Sequence, residues 1–445
     1  MKLWDKGIHT AEGIDRFTVG NDRDWDKHLA PWDVIGSLAH ARMLQSCGLI
    51  SETSGMALQE GLRKLLPEVQ SEDFSIGQDY EDIHSWVEFQ LTASLGDPGK
   101  ELHTARSRND QVLLDIKLFL REEVRQLCQL TEELSSLLLA KAESHKDILL
   151  PGYTHLQVAM PSSFGLWFSA WAECLADDLL LLKAAYDTVN QNPLGSAAGY
   201  GSSFPIDRSQ TTELLGFESM HYNVVAAQLS RGKTELHLGM ALAAFGNTLS
   251  RLAMDVCLYC SQNFNFLKLP AAYTTGSSIM PHKQNPDVFE LIRGKAQRLG
   301  AIPQELLLLG NGLPSGYHRE FQLSKDILFP GLLALKDCLE MSTAALREVE
   351  VNAVVSPDDE RYRYLFTVDS INEEVKQGAS FRDAYRSVGK AVQEGSYSPP
   401  ESPQHSHEGS LGNLCLPEIK AKVAQRIAAF DFGVWQEAVE GLVKG

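Results

Sequence analysis

The sequence predicts an all-α protein built around long helices. Over residues 112–139 apolar residues recur every three or four positions, which is the spacing of one helix face. No glycine or proline interrupts residues 110–146, so this helix could reach about 50 Å at a rise of 1.5 Å per residue. Extended runs that alternate apolar and polar residues are absent. We therefore expect little sheet.

Four further segments carry the same helical spacing, namely residues 164–189, 226–262, 288–309 and 323–349. Five long helices in series are typical of an elongated helical bundle. A chain of 445 residues is expected to divide into two or three domains. Shorter and interrupted helical segments precede residue 102, and the composition changes after residue 351. We predict an N-terminal helical domain (1–102), a central long-helix bundle (103–350) and a small C-terminal helical domain (351–445). The Pro/Ser-rich residues 395–410 are interpreted as a loop or as local disorder.

The overall composition argues against several classes of function. The 445 residues are 44% hydrophobic and 22% charged, and the formal net charge is −18. Binding of nucleic acid through bulk charge needs a basic surface, which an acidic chain is unlikely to have. The sequence contains no apolar run of membrane-spanning length, and its first 17 residues lack the apolar core of a signal peptide. We expect a cytoplasmic protein that binds neither nucleic acid nor a membrane.

The cysteines argue for a reducing compartment and against a zinc site. There are seven, scattered along the chain and odd in number. Cys257 and Cys260 form a C-x-x-C within an apolar helical run. No second C-x-x-C and no nearby pair of histidines completes a zinc site. We interpret both cysteines as packed thiols and predict no metal.

The segment TTGSSIMPHKQNPDVFE, residues 274–290, is a poor helix and a poor strand between long helices. It offers two hydroxyls (Ser277 and Ser278), a cation (Lys283) and an amide (Asn285). Lys283 and Asn285 could both face one anion, as the stabilisation of a growing carboxylate charge requires. A serine needs activation to act as a base, and no G-x-S-x-G turn surrounds either serine, so a hydrolase triad fits poorly. Composition alone leaves a hydrophilic surface turn as the alternative.

Two other polar loops contain residues suited to catalysis or binding. His155 lies in GYTHLQ, where a loop histidine can exchange a proton near neutral pH or can be structural. Arg108 and Asn109 lie in ARSRNDQ, directly before the long helix. They could bind a carboxylate with help from the helix N-terminus. We interpret Asp110 as the N-cap of this helix.

Together these segments resemble the fumarase/aspartase superfamily and, within it, the argininosuccinate lyase family. GSSIMPHKQNP resembles the superfamily signature G-S-x-x-M-x-x-K-x-N. SRNDQV, GYTHLQ, NPLGSAAGYGSSFPIDR and YHREFQLSKD resemble segments of the argininosuccinate branch. The resemblance implies three mostly helical domains and a homotetramer in which the long helices form a twenty-helix core. It also implies active sites that combine loops from three subunits.

The resemblance implies a reaction as well. Members of the family cleave argininosuccinate to arginine and fumarate in arginine biosynthesis, by base-catalysed elimination through an aci-carboxylate and without metal or organic cofactor. Ser277 would be the base that removes the proton. Lys283 and Asn285 would hold the carboxylate whose charge grows. Glu290 would pair with His155, which would donate or relay a proton.

The substrate contacts of the family carry over residue by residue. The residues that match them are Arg108, Asn109, Thr154, Tyr317, Gln322, Lys325 and, more weakly, Arg251. Lys325 would take a carboxylate, whereas Arg251 could also be an ordinary surface cation. Asp22 falls where the family commonly has a substrate-binding serine. Either Asn21 or backbone replaces that contact, or the register is shifted by one residue.

Two other functions stay open. His282 stands where many argininosuccinate lyases have glutamine, and MPHK also occurs in adenylosuccinate lyases, so this position does not separate the two branches. The SRND, GYTHLQ and YHREFQLSK segments favour the argininosuccinate branch. A non-catalytic protein, such as the lens crystallins that resemble this family, would be favoured by loss of Ser277 or His155. Both residues are present.

Overall fold

The computed structural model describes residues 12–353, 355, 359–400 and 405–445. Within these residues the chain is mostly helical, as predicted, with seventeen α-helices. Residues 1–11, and with them most of the segment considered for a signal peptide, lie outside the described residues, as do residues 401–404 of the Pro/Ser-rich stretch. No helix in the described part of the chain has the length and apolarity that a membrane span requires.

The helices follow one another along the chain with few strands between them. The first are α1 (Glu12–Val19), α2 (Asp22–Ser46), α3 (Glu52–Val69), α4 (Ile83–Leu95) and α5 (Asp97–Glu101). The central ones are α6 (Arg108–Ser144), α7 (Phe164–Val189), α8 (Arg208–Leu214), α9 (Val224–Leu229), α10 (Lys233–Tyr259), α11 (Asp287–Arg298), α12 (Ile302–Gly310) and α13 (Ser324–Glu348). The last are α14 (Thr367–Lys376), α15 (Phe381–Gln393), α16 (Leu416–Ala428) and α17 (Gly433–Lys444).

The strands form four two-stranded sheets. They are β1 (Leu149–Thr154), β2 (Gln157–Ser163), β3 (Gln191–Asn192), β4 (Ser219–Met220), β5 (Leu267–Lys268), β6 (Thr275–Gly276), β7 (Gln284–Asn285) and β8 (Glu350–Val351). The pairs β1–β2, β5–β8 and β6–β7 are antiparallel, and β3–β4 is parallel. Little sheet was predicted, and only β1 and β2 are long. The polar segment 151–163, predicted as a loop, is therefore mostly a β-hairpin.

The N-cap of the longest helix, α6, lies three residues before the predicted cap, Asp110. Ser107 is the N-cap, and its hydroxyl accepts a hydrogen bond from the N–H of Asn109. Asp110 is the third helical residue, and its carboxylate accepts the N–H of Ser107 at 2.9 Å. The two side chains form a capping box. The prediction that Asp110 is the N-cap was wrong. Its other carboxylate oxygen binds the N–H groups of Gly195 and Ala197.

Two of the predicted long helices are interrupted. The segment 226–262 breaks between α9 and α10 at Gly232, whose φ is +79°. A Cβ at that position would lie 2.3 Å from the ring of Phe321, so the close approach also requires glycine. The segment 288–309 divides into α11 and α12 at a 3₁₀ turn, residues 299–301. Pro303 follows that turn and cannot donate the backbone hydrogen bond that a continuous helix needs.

The long helices bury the largest apolar core. It includes Leu120 of α6, Phe168 of α7, Phe245 of α10 and Phe329 of α13, which are all fully or nearly fully buried. A second core forms around α2, α3 and α4, and it also takes Leu442 of α17. A small third core lies on α14 and α15. The C-terminal helices thus pack on more than one core, and the division into three domains stays a prediction.

Candidate active site

A cavity of about 230 Å³ lies where α2, α4, the start of α6 and the segment 317–325 meet. Five of the predicted substrate contacts line it: Arg108, Asn109, Tyr317, Gln322 and Lys325. These residues come from two segments about two hundred positions apart in the sequence. The fold therefore brings together the residues matched from the SRND and YHREFQLSK motifs.

Arg108 is held at the cavity wall by the start of α4. Its Nη1 lies 3.2 Å from carboxylate oxygens of both Glu81 and Asp82, and its Nη2 donates to the hydroxyl of Ser85 at 2.6 Å. The neighbouring Asn109 also lines the cavity. Its side-chain amide makes no hydrogen bond within the described residues. Asn109 is consequently available to a ligand, whereas Arg108 is already paired.

Gln322 and Tyr317 also line the cavity. Gln322 Nε2 donates to the carbonyls of Thr18 and Val19 at 2.9 and 3.1 Å, which fixes its amide and leaves Oε1 for a ligand. Tyr317 follows Gly316, whose φ of +110° turns the chain sharply. In the part of the chain that the structure describes, the Tyr317 hydroxyl has no hydrogen-bond partner. Both side chains are suited to bind polar groups of a substrate.

Lys325 lies at the base of the cavity between two carboxylates. Its Nζ is 2.5 Å from Asp22 Oδ1 and 2.6 Å from Asp26 Oδ1, and the side chain is 2% exposed. Burial alone would lower the pKa of Lys325, but the charges of Asp26 and Asp22 outweigh it and raise that pKa. Burial raises the pKa of Asp22 to about 6, and the charge of Asp26 adds to this effect against that of Lys325. Two carboxylates thus share one ammonium group.

The second group of predicted residues lies on the β6–β7 hairpin and the start of α11. The Ser277 hydroxyl accepts hydrogen bonds from the N–H groups of Ile279 (3.3 Å) and Met280 (3.1 Å). The side chains of Lys283 and Asn285 form no hydrogen bond or ion pair among the residues described. The segment predicted as a loop is in part a hairpin, and Glu290 is helical because α11 begins at Asp287.

Thr154 and His155 lie at the tip of the β1–β2 hairpin and are exposed. His155 and Leu156 both have positive φ, +53° and +59°, and they close the turn between the strands. Leu156 is 80% exposed, and Ile279, beside Ser277 and Ser278, is 82% exposed. His155 makes no hydrogen bond or ion pair with Glu290 within the described residues. Each hairpin tip therefore exposes one large apolar side chain beside its predicted catalytic residue.

The cavity and the two hairpins lie at opposite ends of α10. Arg231, two residues before α10, lines the cavity, and its Nη2 donates to the carbonyl of Phe321 at 2.9 Å. At the other end, burial and then the charge of Glu290 raise the pKa of Cys257 to about 11. The rings of Tyr153 and Phe264 are 5.7 Å apart there. A helix of 27 residues is about 40 Å long. The cavity and hairpins of one chain therefore do not meet.

The chain matches the lyase family model over residues 5–300. It is 51% identical over 445 residues, all of both chains, to an argininosuccinate lyase of Parabacteroides distasonis. It is 38% identical over 434 residues to an argininosuccinate lyase of Stenotrophomonas maltophilia, covering 94% of this chain and 98% of that one. The chain belongs to the argininosuccinate lyase family. The resemblance read from the motifs is confirmed.

Solved structures of other proteins share the fold of this chain at low sequence identity. An EDDS lyase in complex with formate has a TM-score of 0.75 and 21% identity, covering 98% of this chain and 95% of that one. A class II fumarase from Schistosoma mansoni has a TM-score of 0.70 and 16% identity, covering 86% and 91%. These likenesses support the mostly helical fold predicted from the sequence.

Two of the residues matched to the family's substrate contacts lie away from the cavity. Thr154 is on the β1–β2 hairpin, and Arg251 is exposed on α10, where its charge acts on Cys174 and Asp255. Asp22 lines the cavity, whereas Asn21 instead donates to Asp326. Of these two residues, Asp22 is therefore the one that borders the cavity.

The cavity also contains charged residues that the motifs did not single out. They are Asp26, Glu81, Asp82, His84, Arg231 and Arg319. His84 Nδ1 lies 2.5 Å from Asp33 Oδ2, which also accepts from Gln111 Nε2 at 2.7 Å. Burial would lower the pKa of His84, but the charge and hydrogen bond of Asp33 and the charges of Asp82 and Asp26 together raise that pKa. The His84 ring thus borders the cavity and is oriented by Asp33.

A second carboxyl group, that of Asp115, completes this buried cluster of Asp33 and His84. The ligand atoms of Asp33, His84 and Asp115 lie within 4.8 Å of one another, a spacing that could hold a metal ion. Burial and then the adjacent Asp33 charge raise the pKa of Asp115 well above its usual value. This shift favours the protonated form of Asp115, and a proton there would relieve the repulsion between the two carboxyl groups.

Asparagine substitutions should separate the roles of the two aspartates. Asp115→Asn replaces a neutral acid by a neutral amide, and we expect it to change the free energy of unfolding by no more than about 1 kcal/mol. Asp33→Asn removes the counter-charge of buried His84 and should cost roughly 3–5 kcal/mol. Urea unfolding at pH 7 measures both values. Equal losses in the two variants would contradict the assignment of the proton to Asp115.

Proposed function

We propose that this protein is an argininosuccinate lyase, which cleaves argininosuccinate to L-arginine and fumarate in arginine biosynthesis. One observation carries the proposal beyond sequence identity. Residues from two distant motifs of that family, which include Asn109 and Lys325, line a single polar cavity. The cavity presents both cationic and acidic side chains, as a substrate with carboxylate, ammonium and guanidinium groups requires.

The chemical step is a β-elimination in which Ser277 acts as the base. The Ser277 oxygen removes the proton from the carbon beside a succinyl carboxylate, which gives the aci-carboxylate. The C–N bond then breaks, and the guanidino nitrogen takes up a proton. In support of this role, two backbone N–H groups already point at the Ser277 oxygen and would stabilise its anionic form.

The remaining catalytic roles follow from the groups available on the two hairpins. Lys283 and Asn285 are unpaired within the described residues, so they are free to bind the carboxylate whose charge grows. His155 donates or relays the proton to the leaving nitrogen, and Glu290 pairs with His155 and orients it. The base, the acid and the anion-binding groups are all side chains, so this reaction proceeds without metal or organic cofactor.

The assembly is a homotetramer with shared active sites and a twenty-helix core. The separation of the cavity from the hairpins by the length of α10 supports shared sites, because one chain cannot supply all the required groups at one place. The exposed apolar residues Leu307 and Leu308 of α12 support burial against another chain. All seven cysteines are free thiols, which supports a location in the reducing cytoplasm.

Fumarate release tests the reaction and its branch. We expect the purified protein to release fumarate, followed by ultraviolet absorbance, from argininosuccinate and not from adenylosuccinate. Release of fumarate from adenylosuccinate alone would agree with the superfamily but would contradict argininosuccinate as the substrate. A folded protein that releases fumarate from neither would support the non-catalytic alternative.

A further inference from the structure

The base of the cavity carries one more negative than positive charge. Lys325 contacts both Asp22 and Asp26, at 2.5 and 2.6 Å, so one ammonium serves two carboxylates. Arg231, which also faces Asp22, is paired with Glu235 outside the cavity at 3.1 Å. With Asp22 and Asp26 both ionised, this end of the cavity has an unmatched negative charge.

The other end of the cavity does not supply the missing positive charge, because its cationic groups are already paired, His84 with Asp33 at 2.5 Å. Arg108 contacts Glu81 and Asp82, each at 3.2 Å, and Arg319 contacts Glu81 at 3.1 Å. Two cations and two carboxylates thus pair among themselves at the mouth. The excess charge at the base must be neutralised either by a proton or by a cationic group of the ligand.

We propose that Asp22, together with Asp26, forms a subsite for a primary ammonium group of the substrate. The inference rests on the proposed function and deepens it, because the ammonium group is then the α-amino group of the arginine half of argininosuccinate. Serine at this position would leave Lys325 with one carboxylate and room for a substrate carboxylate. The aspartate in this chain changes the preference of the subsite from an anion to a cation.

A substrate carboxylate at the same place would be unfavourable. It would be the third carboxylate around one buried ammonium group and would increase the unmatched charge. An ammonium group between Asp22 and Asp26 instead gives two cations and two anions. The carboxylate that the family resemblance places on Lys325 is then bound elsewhere in the cavity, where the side chains of Asn109 and Tyr317 are unpaired within the described residues.

Two analogues of the product test the charge preference. L-arginine carries the ammonium group, and 5-guanidinopentanoate is the same molecule without it. A charge-assisted hydrogen bond contributes about 1.5–3 kcal/mol, so we expect arginine to bind roughly 10- to 100-fold more tightly. The dissociation constants are measured by titration calorimetry on the wild-type protein. Equal affinities for L-arginine and 5-guanidinopentanoate would contradict the proposed ammonium subsite.

Variants at Asp22 assign the preference to this side chain. Asp22→Ser and Asp22→Asn should both lower the ratio of the two affinities by about tenfold, with the loss confined to arginine. Asp24→Ser is the matched control, since Asp24 is exposed on the same turn of α2 and its side chain makes no hydrogen bond or ion pair among the residues described. An unchanged ratio in both Asp22 variants, each shown to be folded, would contradict the proposal.

Proton release gives an independent measurement. The charged groups that face Asp22 are Asp26, Lys325 and Arg231, and the pKa of Asp22 is raised to about 6. A bound ammonium group would lower that pKa, so arginine binding near pH 6 should release protons, and Asp22→Asn should abolish the release. Proton uptake would show that a carboxylate binds there. Because calorimetry needs no turnover, this result is separate from the outcome of the fumarate assay.

Discussion

Replacing Ser277 by alanine should lower the rate of fumarate release by at least about a thousandfold, because the elimination loses its base. Substrate affinity should change by no more than about threefold, since Ser277 is needed for the proton transfer and not for binding. Single-turnover kinetics with argininosuccinate measure the rate, and calorimetry with the inactive variant measures the affinity. A large loss of affinity with an unchanged rate would remove Ser277 from the catalytic step.

Ser278→Ala is the matched control for this experiment. Ser278 is adjacent in sequence, exposed, and without a hydrogen bond from its hydroxyl within the described residues. The Ser277 hydroxyl differs in accepting the N–H groups of Ile279 and Met280. We therefore expect Ser278→Ala to retain most of the activity. A Ser278 variant as inactive as the Ser277 variant would indicate that the whole hairpin tip, and not one hydroxyl, was disturbed.

The sequence predicted those helices whose ends are determined by residues nearby in the chain. The boundaries of α7 coincide with its periodic segment, because Ser163 caps it and no competing contact interrupts it. The break at Gly232 could not be predicted, since its cause is the ring of Phe321, which is distant in sequence. The β1–β2 hairpin was also missed. Its strands contain Pro151 and Pro161, and its turn consists of His155 and Leu156 in place of the usual glycine-containing pair.

The candidate site divides in the same way. The motifs predicted Asn109 and Lys325 as substrate contacts, because the residue types at those positions suit substrate binding. Both residues line the cavity. The motifs did not predict that Lys325 would be shared by two carboxylates, since that depends on burial and on Asp26, which is 299 residues away in sequence. The separation of the cavity from the hairpins by the length of α10 could likewise not be predicted from the sequence. It follows from how the helices pack, and it supports the proposal that active sites are shared between subunits.

Mixing two inactive variants should restore activity if the sites are shared. Ser277→Ala disables a hairpin and Asn109→Ala disables the cavity, and these lie at opposite ends of α10. A site that draws its serine from one subunit and its asparagine from another would be intact in roughly a quarter of random combinations. We therefore expect about a quarter of the wild-type rate after equal mixing and verified subunit exchange. Each variant alone, treated identically, is the control.

A third variant extends this experiment to the two hairpins. His155 and Ser277 lie toward the same end of α10, so the structure of one chain does not decide whether they serve the same site. If the tips come from different subunits, His155→Asn mixed with Ser277→Ala should also recover roughly a quarter of the rate. Recovery with Asn109→Ala but not with His155→Asn would mean that one subunit supplies both hairpins. No recovery with either partner would contradict shared sites and require a rearrangement that brings the hairpins of one chain to its own cavity.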